Sequence, residues 1–333
     1  MPERRMEDGL KASVRSCYPT PDRNSRSRRD LLALAGLTAI GTARAQRPSE
    51  ALDPASPQIG ILLATTYTTG TLEERLDEAK AHGLACAQLS MACAGLPDMP
   101  DEMPADLPER FRRETAARGI RIASLQGTFN MCHPDEEHRR MGLRRLRVLA
   151  EAFPRTAIHI CTGTRNPSSM WRRHPENNSP QAWRDMAACV REAADTARQA
   201  QVVLAFEPEV NNVVDSARKA RQLLDEIGSP HLKVTFDPAN IFHAGELPRM
   251  KEMLEEAFAL VGKDIVLAHA KDLDHDGDAG HKAAGEGLLD YDLYLRLLRA
   301  NRFNGPLLLH GLSRAQVPGC AAFLRAKLAR AAG

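Results

Sequence analysis

Eight short apolar runs, each followed by turn residues and then by a stretch of helical period, constrain the fold of this chain more than any other feature. Alternating strands and helices predict an α/β domain with a parallel sheet. Eight such units predict a closed (β/α)8 TIM barrel. The predicted strands are residues 58–64, 84–90, 120–126, 157–162, 202–207, 232–237, 264–270 and 306–311.

An open doubly wound sheet is the alternative to a barrel. A dinucleotide-binding sheet of that kind needs a Gly-x-Gly-x-x-Gly turn after its first strand. The segment TTYTTGT, residues 65–71, contains no such turn. We therefore expect a single TIM barrel domain over residues 58–333.

Residues 1–45 have the pattern of a twin-arginine signal peptide. Arg28 and Arg29 precede the apolar run LLALAGLTAIG, and an Ala-x-Ala cleavage site ends at Ala45. The run is far shorter than the roughly 20 residues that span a bilayer. We predict export by the twin-arginine machinery, a periplasmic or secreted protein without a membrane anchor after processing, and a linker over residues 46–57. A disordered basic tail before an isolated helix is the alternative.

Removal of this leader changes the sign of the net charge. The whole chain has 45 Lys and Arg against 43 Asp and Glu, a formal charge of +2. Residues 1–45 contain nine Lys and Arg and five Asp and Glu. The remaining chain therefore has 36 basic and 38 acidic residues and a formal charge of −2. A nucleic-acid binder is expected to carry a basic surface. We therefore expect no nucleic-acid partner.

Four side chains of the metal-ligand type stand at the ends of the last four predicted strands. They are Glu207, Asp237, His269 and His310, separated by 30, 32 and 41 residues, which fits one strand–helix unit per gap. In a barrel these strand ends meet at one mouth, where active sites lie. Two carboxylates and two imidazoles suit Mn²⁺, Fe²⁺, Co²⁺ or Zn²⁺, whereas Mg²⁺ and Ca²⁺ prefer more oxygen ligands. A satisfied polar residue or a turn is the alternative for each residue taken alone.

The loops after the strands carry candidates for substrate binding. The segment 162–181 has no helical period, and such a long loop is either a lid or binding loop or a solvated surface excursion. On strand alternation we expect Lys271 to point away from His269 unless the strand has ended, and Asp272 to return to the ligand side. The candidates are Asn130, His133, Arg165, Trp171, Glu209, Asn240, Lys271, Asp272 and His281.

Five strings extend this pattern along the chain: FEPEVNNVVDSARKARQLLDE, TFDPANIF, LAHAKD, AAGEGLLDYDLYLRLL and LLLHGL. In this order they resemble the sugar phosphate isomerase/epimerase superfamily, the xylose isomerase-like TIM barrels that also include apurinic endonucleases. The resemblance covers roughly residues 58–328. It implies one divalent metal ion, with Mn²⁺ as first choice, bound by Glu207, Asp237, His269 and a fourth ligand on the eighth strand. Most relatives have Glu at that fourth position, whereas this chain has His310.

The resemblance also implies proton abstraction next to a sugar carbonyl, through a metal-stabilised enediolate. Glu207 is the expected base, and His310 is the second catalytic candidate. A metal-bound imidazole is a poor base, which disfavours two-base epimerisation, whereas isomerisation or β-elimination needs one base and a proton carrier. Candidates for the carrier are Glu209, Lys271, Asp272, His281 and His133. Export favours an unphosphorylated or keto sugar as substrate.

Other functions stay open at this point. A keto-sugar lyase would use the same site, and a non-catalytic barrel would keep the metal or sugar without turnover. An apurinic-endonuclease-like hydrolase would need three clustered zinc ions. Asn240 stands where those enzymes have His, and the chain is acidic after processing, so this hypothesis is disfavoured. The sequence leaves open whether the protein is a homo-oligomer.

Overall fold

The computed structural model of the chain describes residues 57–332, and its strands pair in a closed ring. Consecutive strands pair in parallel from β1 to β7, β7 pairs with β9, and β9 pairs with β1, which confirms the predicted TIM barrel. The two-residue β8 adds to β7 in antiparallel fashion outside this ring. The strands are β1 (Gln58–Leu62), β2 (Cys86–Leu89), β3 (Arg121–Gln126), β4 (Ala157–Cys161), β5 (Val203–Glu207), β6 (Leu232–Phe236), β7 (Ile265–Asp272), β8 (Lys282–Ala283) and β9 (Pro306–Leu309).

Helices surround the barrel and pack on its outer face. Their buried apolar residues join those of the outward-facing strand positions in one large cluster, as expected when each helix covers a parallel sheet. The helices are α1 (Leu63–Thr66), α2 (Leu72–Ala81), α3 (Leu107–Ala117), α4 (Glu136–Ala152), α5 (Pro180–Ala200), α6 (Ala217–Ile227), α7 (Met250–Val261), α8 (Tyr291–Ala300) and α9 (Val317–Ala332).

Helix α6 shows how the sequence sets the helix bounds. The Ser216 hydroxyl accepts a hydrogen bond from the third N–H of the helix, and Gly228 ends it with a left-handed φ of 63°. Each buried Leu contributes roughly 1.5–3 kcal/mol to folding. The helix therefore fixes the connection between β5 and β6, the two strands that carry the carboxylates of the site. Its buried stripe consists of Ala217, Ala220, Leu223 and Leu224.

The inside of the barrel is apolar on one side, beneath the mouth. Leu62, Cys86, Ala123 and Leu308 form a small cluster that is separate from the outer core. A Cβ at Gly60 would lie 2.4 Å from the Cys86 carbonyl oxygen and 2.8 Å from the Leu308 side chain. Glycine is therefore required there because the interior is already filled.

The observed strand bounds differ from the predicted ones by one or two residues at an end, and two of these differences have a structural cause. Residues 63–64 were predicted in the first strand, but Leu63–Thr66 forms the short helix α1. The seventh strand was predicted to end at residue 270, but β7 continues to Asp272 because Lys271 and Asp272 pair with β8. That pairing partner lies ten residues further along the chain, so strand period alone does not reveal it.

The predicted leader, residues 1–45, and the linker up to residue 56 lie outside the described residues, so both stay predictions. Among the helices of residues 57–332, none has the length and apolar character needed to cross a membrane.

Candidate functional site

The four predicted ligand residues lie together at the carboxyl end of the barrel. Glu207 ends β5, Asp237 follows β6, His269 lies on β7 and His310 follows β9. Nδ1 of His269 is 3.3 Å from Oδ2 of Asp237 and 3.7 Å from Oε1 of Glu207. Nδ1 of His310 is 3.4 Å from the same Asp237 oxygen. The four side chains converge because the carboxyl ends of all barrel strands meet at one mouth.

Mutual charge interactions favour the ionised forms of Glu207, Asp237 and His269. Burial acts to raise the pKa of Glu207, but the charge on His269 outweighs it and lowers this pKa to about 2. Burial likewise acts to lower the pKa of His269, but Glu207 and Asp237 raise it to about 9. Isolated buried charges are costly, so each carboxylate here requires a positive partner. In the protein alone, the proton on His269 is one such partner.

Lys271 supplies a second positive charge, and its direction corrects the sequence prediction. Its Nζ lies 3.2 Å from Oδ2 of Asp237, on the same face of β7 as His269. Asp272 points away from this face and accepts hydrogen bonds from three backbone N–H groups. Residues two apart on a strand share a face, so Lys271 and not Asp272 accompanies His269.

Two further predicted residues, Asn240 and Glu209, border Glu207. Nδ2 of Asn240 donates a hydrogen bond of 2.6 Å to Oε1 of Glu207. Glu209 is buried two residues beyond Glu207, and burial together with the Glu207 charge raises its pKa to about 8. The Glu209 carboxyl is therefore mostly protonated at pH 7. A carboxyl in that state can act as a proton donor.

Asn130, His133 and Arg165 are held by partners of their own. Oδ1 of Asn130 accepts hydrogen bonds from two backbone N–H groups. The His133 ring stacks on that of His138 with centroids 4.0 Å apart, and Arg165 forms an ion pair with Asp185 on α5. These contacts order the loops after β3 and β4. Within residues 57–332, the hydrogen bonds and ion pairs of these three side chains do not involve the four predicted ligands.

Trp171 and His281 lie on the long loops after β4 and β7. The Trp171 side chain is among the few large apolar groups that are exposed, at 41 %. Sulfur atoms of its neighbour Met170 and of Cys161 lie 3.8 Å apart, so this loop passes over the end of β4. Nε2 of His281 contacts Asp274 at 2.9 Å on the surface, and not the four predicted ligands. The part of Trp171 and His281 in substrate binding therefore stays a prediction.

His159 belongs to the site and was missed by the sequence analysis. It lies in the middle of β4, is only 3 % exposed, and its Nε2 is 3.5 Å from Oε2 of Glu207. Burial lowers the pKa of His159 to about 3, so its ring is neutral. In the sequence, a histidine within an apolar strand resembles a core residue. The one signal that could have identified His159 is that strand alternation places its side chain on the inner face of the barrel, as it does for the ligand residues.

A neutral polar network occupies the mouth on the side of β2 and β3, and it too was missed. Ser124 Oγ donates to Gln88 Oε1 at 2.8 Å, and Gln88 Nε2 donates to Gln126 Oε1 at 2.6 Å. Gln126 Nε2 in turn donates to the Thr128 hydroxyl at 2.8 Å. Gln88 and Gln126 stand near strand ends as the charged residues do, so the same reasoning could have found them.

The donor atoms at the mouth are of the kinds that bind divalent ions. Two groups of three have their donor atoms within 4.8 Å of one another: His159, Glu207 and His269, and Asp237, His269 and His310. Imidazole nitrogen and carboxylate oxygen are ligands that first-row transition ions accept. Nε2 of His269 is buried and has no hydrogen-bond partner in the described part of the chain. Protein groups of residues 57–332 therefore do not satisfy this site by themselves.

A cavity of about 330 Å³ lies outside the barrel, between α6 and α7. It is lined by residues such as Ser216, Ile241, His243 and Met253, and by none of the candidate ligands. Because active sites of TIM barrels lie at the strand ends, the chemistry of the mouth is a better guide to function than the size of this cavity.

Comparison with protein families agrees with the fold. The profile of the xylose isomerase-like TIM barrel family matches residues 76–325. A search of curated proteins gave no match.

Solved structures include many barrels of the same fold. 3-Keto-D-glucoside 4-epimerase from E. coli aligns over 81 % of this chain and 100 % of its own, with a TM-score of 0.61 and 18 % identity. A xylose isomerase-like TIM barrel protein from Mycobacterium smegmatis in complex with magnesium aligns over 84 % and 99 %, with a TM-score of 0.62 and 16 % identity. The IolI protein with a bound zinc atom aligns over 81 % and 97 %, with a TM-score of 0.61 and 16 % identity.

Proposed function

This chain belongs to the xylose isomerase-like TIM barrel family, and from that premise we propose that it is a metal-dependent sugar isomerase or epimerase. The observation that carries the proposal is the group of buried carboxylates and imidazoles at the mouth, whose atoms lie 3.3–3.7 Å apart around His269 and Asp237. The 4-epimerase among the structural neighbours acts on a 3-keto-glucoside. Together with the predicted export, this supports an unphosphorylated or keto sugar as substrate.

Glu207, Asp237, His269 and His310 are the proposed ligands of one divalent ion. Mn²⁺ is the first choice, and Zn²⁺, Co²⁺ and Fe²⁺ are alternatives because all accept imidazole and carboxylate ligands. When bound, such an ion polarises a substrate carbonyl and stabilises the negative charge that develops on it.

Glu207 and Glu209 are the proposed base and acid. Their pKa values lie near 2 and 8, so at neutral pH Glu207 is ionised and Glu209 is mostly protonated. Two carboxyl groups whose environments separate their pKa values can divide the two roles of proton acceptor and proton donor. Asn240 holds one oxygen of Glu207 by its hydrogen bond. In this scheme Glu207 removes the proton next to the carbonyl, and Glu209 returns one.

A keto-sugar lyase is the second candidate for the same site. The observation that favours it is His310, which follows β9 and whose Nδ1 lies 3.4 Å from Oδ2 of Asp237. A His bound to metal has no free lone pair for proton abstraction. Chemistry that needs a single base, either isomerisation or β-elimination, therefore suits this site better than epimerisation by two bases.

Metal analysis combined with solvent deuterium incorporation tests the proposal. The purified protein should contain one divalent ion per chain and should catalyse C–H exchange in deuterated water on one member of a panel of keto sugars and aldoses. An unsaturated product would identify the lyase. One ion without exchange on the panel would indicate a binding barrel, and no ion or three zinc ions would overturn the proposal.

Export of the protein is a separate proposal that rests on the sequence. The twin-arginine pair Arg28 and Arg29 should be required for export, and the mature chain should begin at Gln46 after cleavage behind Ala45. N-terminal sequencing of exported protein checks the cleavage site. Unchanged export of an Arg28→Lys/Arg29→Lys variant would contradict the proposal.

A further inference from the structure

His159 has a second contact that fixes which of its nitrogen atoms carries the hydrogen. Nδ1 lies 3.1 Å from the Thr235 hydroxyl oxygen on β6. That hydroxyl lies 3.2 Å from the carbonyl oxygen of Ala205, which can only accept a hydrogen bond. Because a hydroxyl has one hydrogen, Thr235 donates it to Ala205 and accepts from His159. Nδ1 of His159 therefore carries the hydrogen.

In the tautomer that this contact sets, the hydrogen is on Nδ1, and Nε2 faces the Glu207 carboxylate, which is an acceptor. Nε2 lies 3.5 Å from Oε2 of Glu207, beyond the usual 2.7–3.2 Å of an N–H···O hydrogen bond. Within residues 57–332, the His159 ring makes its hydrogen bond through Nδ1. Two acceptors that face each other at this distance repel, unless a cation lies between them. The arrangement is thus incomplete without a positive group.

A metal ion is the cation that this spacing accommodates. Ligand atoms about 2.0–2.2 Å from one ion lie about 3–3.6 Å from each other in octahedral or tetrahedral geometry. The donor atoms of His159, Glu207 and His269 all lie within 4.8 Å of one another. A metal-ligating histidine usually donates its other N–H to an acceptor that orients the ring, as Nδ1 of His159 does to Thr235.

We propose that His159 is a further ligand of the ion, through Nε2, and that Thr235 is the positioning residue that sets its tautomer. The inference rests on the proposed function, because it adds a ligand to the same site. It deepens that function, since a third imidazole shifts the preference of the site from Mg²⁺ towards Zn²⁺ and Co²⁺. Excess Mg²⁺ should therefore fail to displace Co²⁺.

The first experiment measures Co²⁺ affinity by competition with a chelator, together with the visible absorption of the Co²⁺-loaded protein. His159→Ala should weaken binding by at least about 10-fold and change the spectrum, because one nitrogen ligand is lost. Thr235→Val should weaken binding by about 10- to 100-fold, the usual effect of removing the partner of a metal-bound histidine. Thr235→Ser is the matched control, since it keeps the hydroxyl, and it should bind Co²⁺ within about twofold of wild type.

A second measurement needs no substitution, which matters because His159 and Thr235 are buried. Nitrogen-15 NMR of the histidine rings should show His159 with its hydrogen on Nδ1 in metal-free protein, and a shift of its Nε2 signal on addition of Zn²⁺. Unchanged Co²⁺ affinity and spectrum in His159→Ala, or a hydrogen on Nε2, would overturn this inference and leave the proposed function intact. Wild-type protein that binds no ion would overturn the proposed function as well.

Discussion

Strands β6 and β7 bring charged residues together at both of their ends, and the two groups differ in how closely the charges approach. At the amino end, Asp264 has the Lys233 ammonium 2.7 Å from one oxygen and the Arg221 guanidinium 2.9 Å from the other. At the carboxyl end, Oδ2 of Asp237 is 3.2–3.4 Å from nitrogen atoms of Lys271, His269 and His310.

Asp237, which has the longer contacts, is the more deeply buried of the two carboxylates. The Asp264 side chain is 20 % exposed, whereas that of Asp237 is fully buried. A buried carboxylate needs closer partners than an exposed one, yet Asp237 has the longer contacts. Each oxygen of Asp264 is therefore closely paired with one cation, whereas the longer contacts at Asp237 leave room for a further cation. This agrees with the general division of a TIM barrel into a stabilising face and a catalytic face.

Alanine substitutions of Asp237 and of Asp264, at opposite ends of β6 and β7, should differ most in how much metal the protein retains. Asp237→Ala should lose the bound ion, whereas Asp264→Ala should keep it, because only the first removes a proposed ligand. Elemental analysis after gel filtration measures the ion, and circular dichroism checks that both barrels fold. Retention of one full equivalent by Asp237→Ala would contradict the proposed site.

Substitution of the proposed base should reduce turnover while the ion is partly retained. Glu207→Gln keeps the shape and one oxygen donor but removes the proton acceptor, so turnover should fall by about 10²–10⁴. Asp264→Asn at the opposite end is the control and should leave turnover within about twofold. Steady-state kinetics on the exchange-active sugar provides the measurement. A variant Glu207→Gln with normal turnover would exclude Glu207 as the base.

Substitution of His310 by Glu tests whether the imidazole there limits the chemistry. His310→Glu should keep the ion and raise C–H exchange on an epimerase substrate by about 10-fold, less than the roughly 10²–10⁴ of a well-placed base. Deuterium incorporation followed by NMR measures it. If His310→Ala keeps full metal content and full activity, His310 is only a packed residue at the end of the barrel.

The sequence was sufficient to predict the barrel and the meeting of four residues at its mouth. Strand and helix periods are local, and the position of a residue at a strand end is enough to place it in a barrel. Glu207, Asp237, His269 and His310 satisfied this rule and lie together as expected. Their role as ligands stays a prediction.

Other parts of the site depend on contacts between distant segments. His159 contacts Thr235, 76 residues later, and without that contact it reads as a core residue of β4. The pairing of β7 with β8 keeps Lys271 within the strand, and Lys271 therefore shares the face of His269, two residues before it. Polar residues after strands can also serve the loops themselves, as Asn130 does, so the same sequence pattern predicts two roles.

A substitution in the neutral network of β2 and β3 should lower the stability of the protein without removing the ion, unlike a substitution among the charged residues of the mouth. Gln88→Leu removes the partner of both Ser124 and Gln126, which leaves buried polar groups unpaired. The free energy of unfolding should fall by about 1–3 kcal/mol, while the ion is retained. Urea denaturation together with elemental analysis checks both. Loss of the ion in this variant would show that the two sides of the mouth are coupled.

The smallest expected effect is the pH dependence of the Asp264 ion pairs. Burial acts to raise the pKa of Asp264, but hydrogen bonds from Lys233 and Arg221 outweigh it and lower this pKa. A carboxyl with a lowered pKa in the folded state stabilises the protein above its unfolded pKa, near 3.9, and loses that contribution as the pH falls through the folded value.

Asp264→Asn should therefore lower the free energy of unfolding by about 0.5–1 kcal/mol at pH 7, a value typical of partly exposed ion pairs, and by a smaller amount as the pH falls below about 4. Urea denaturation of metal-free wild type and variant at pH 7, 4 and 2.5 measures this difference, and contributions from the carboxylates at the mouth cancel between the two proteins. A difference that does not change with pH would mean that Asp264 acts by packing and not by charge. In that case the contacts of Asp264 would not act as ion pairs, and the amino end of β7 could not be compared with the mouth as a second cluster of charges.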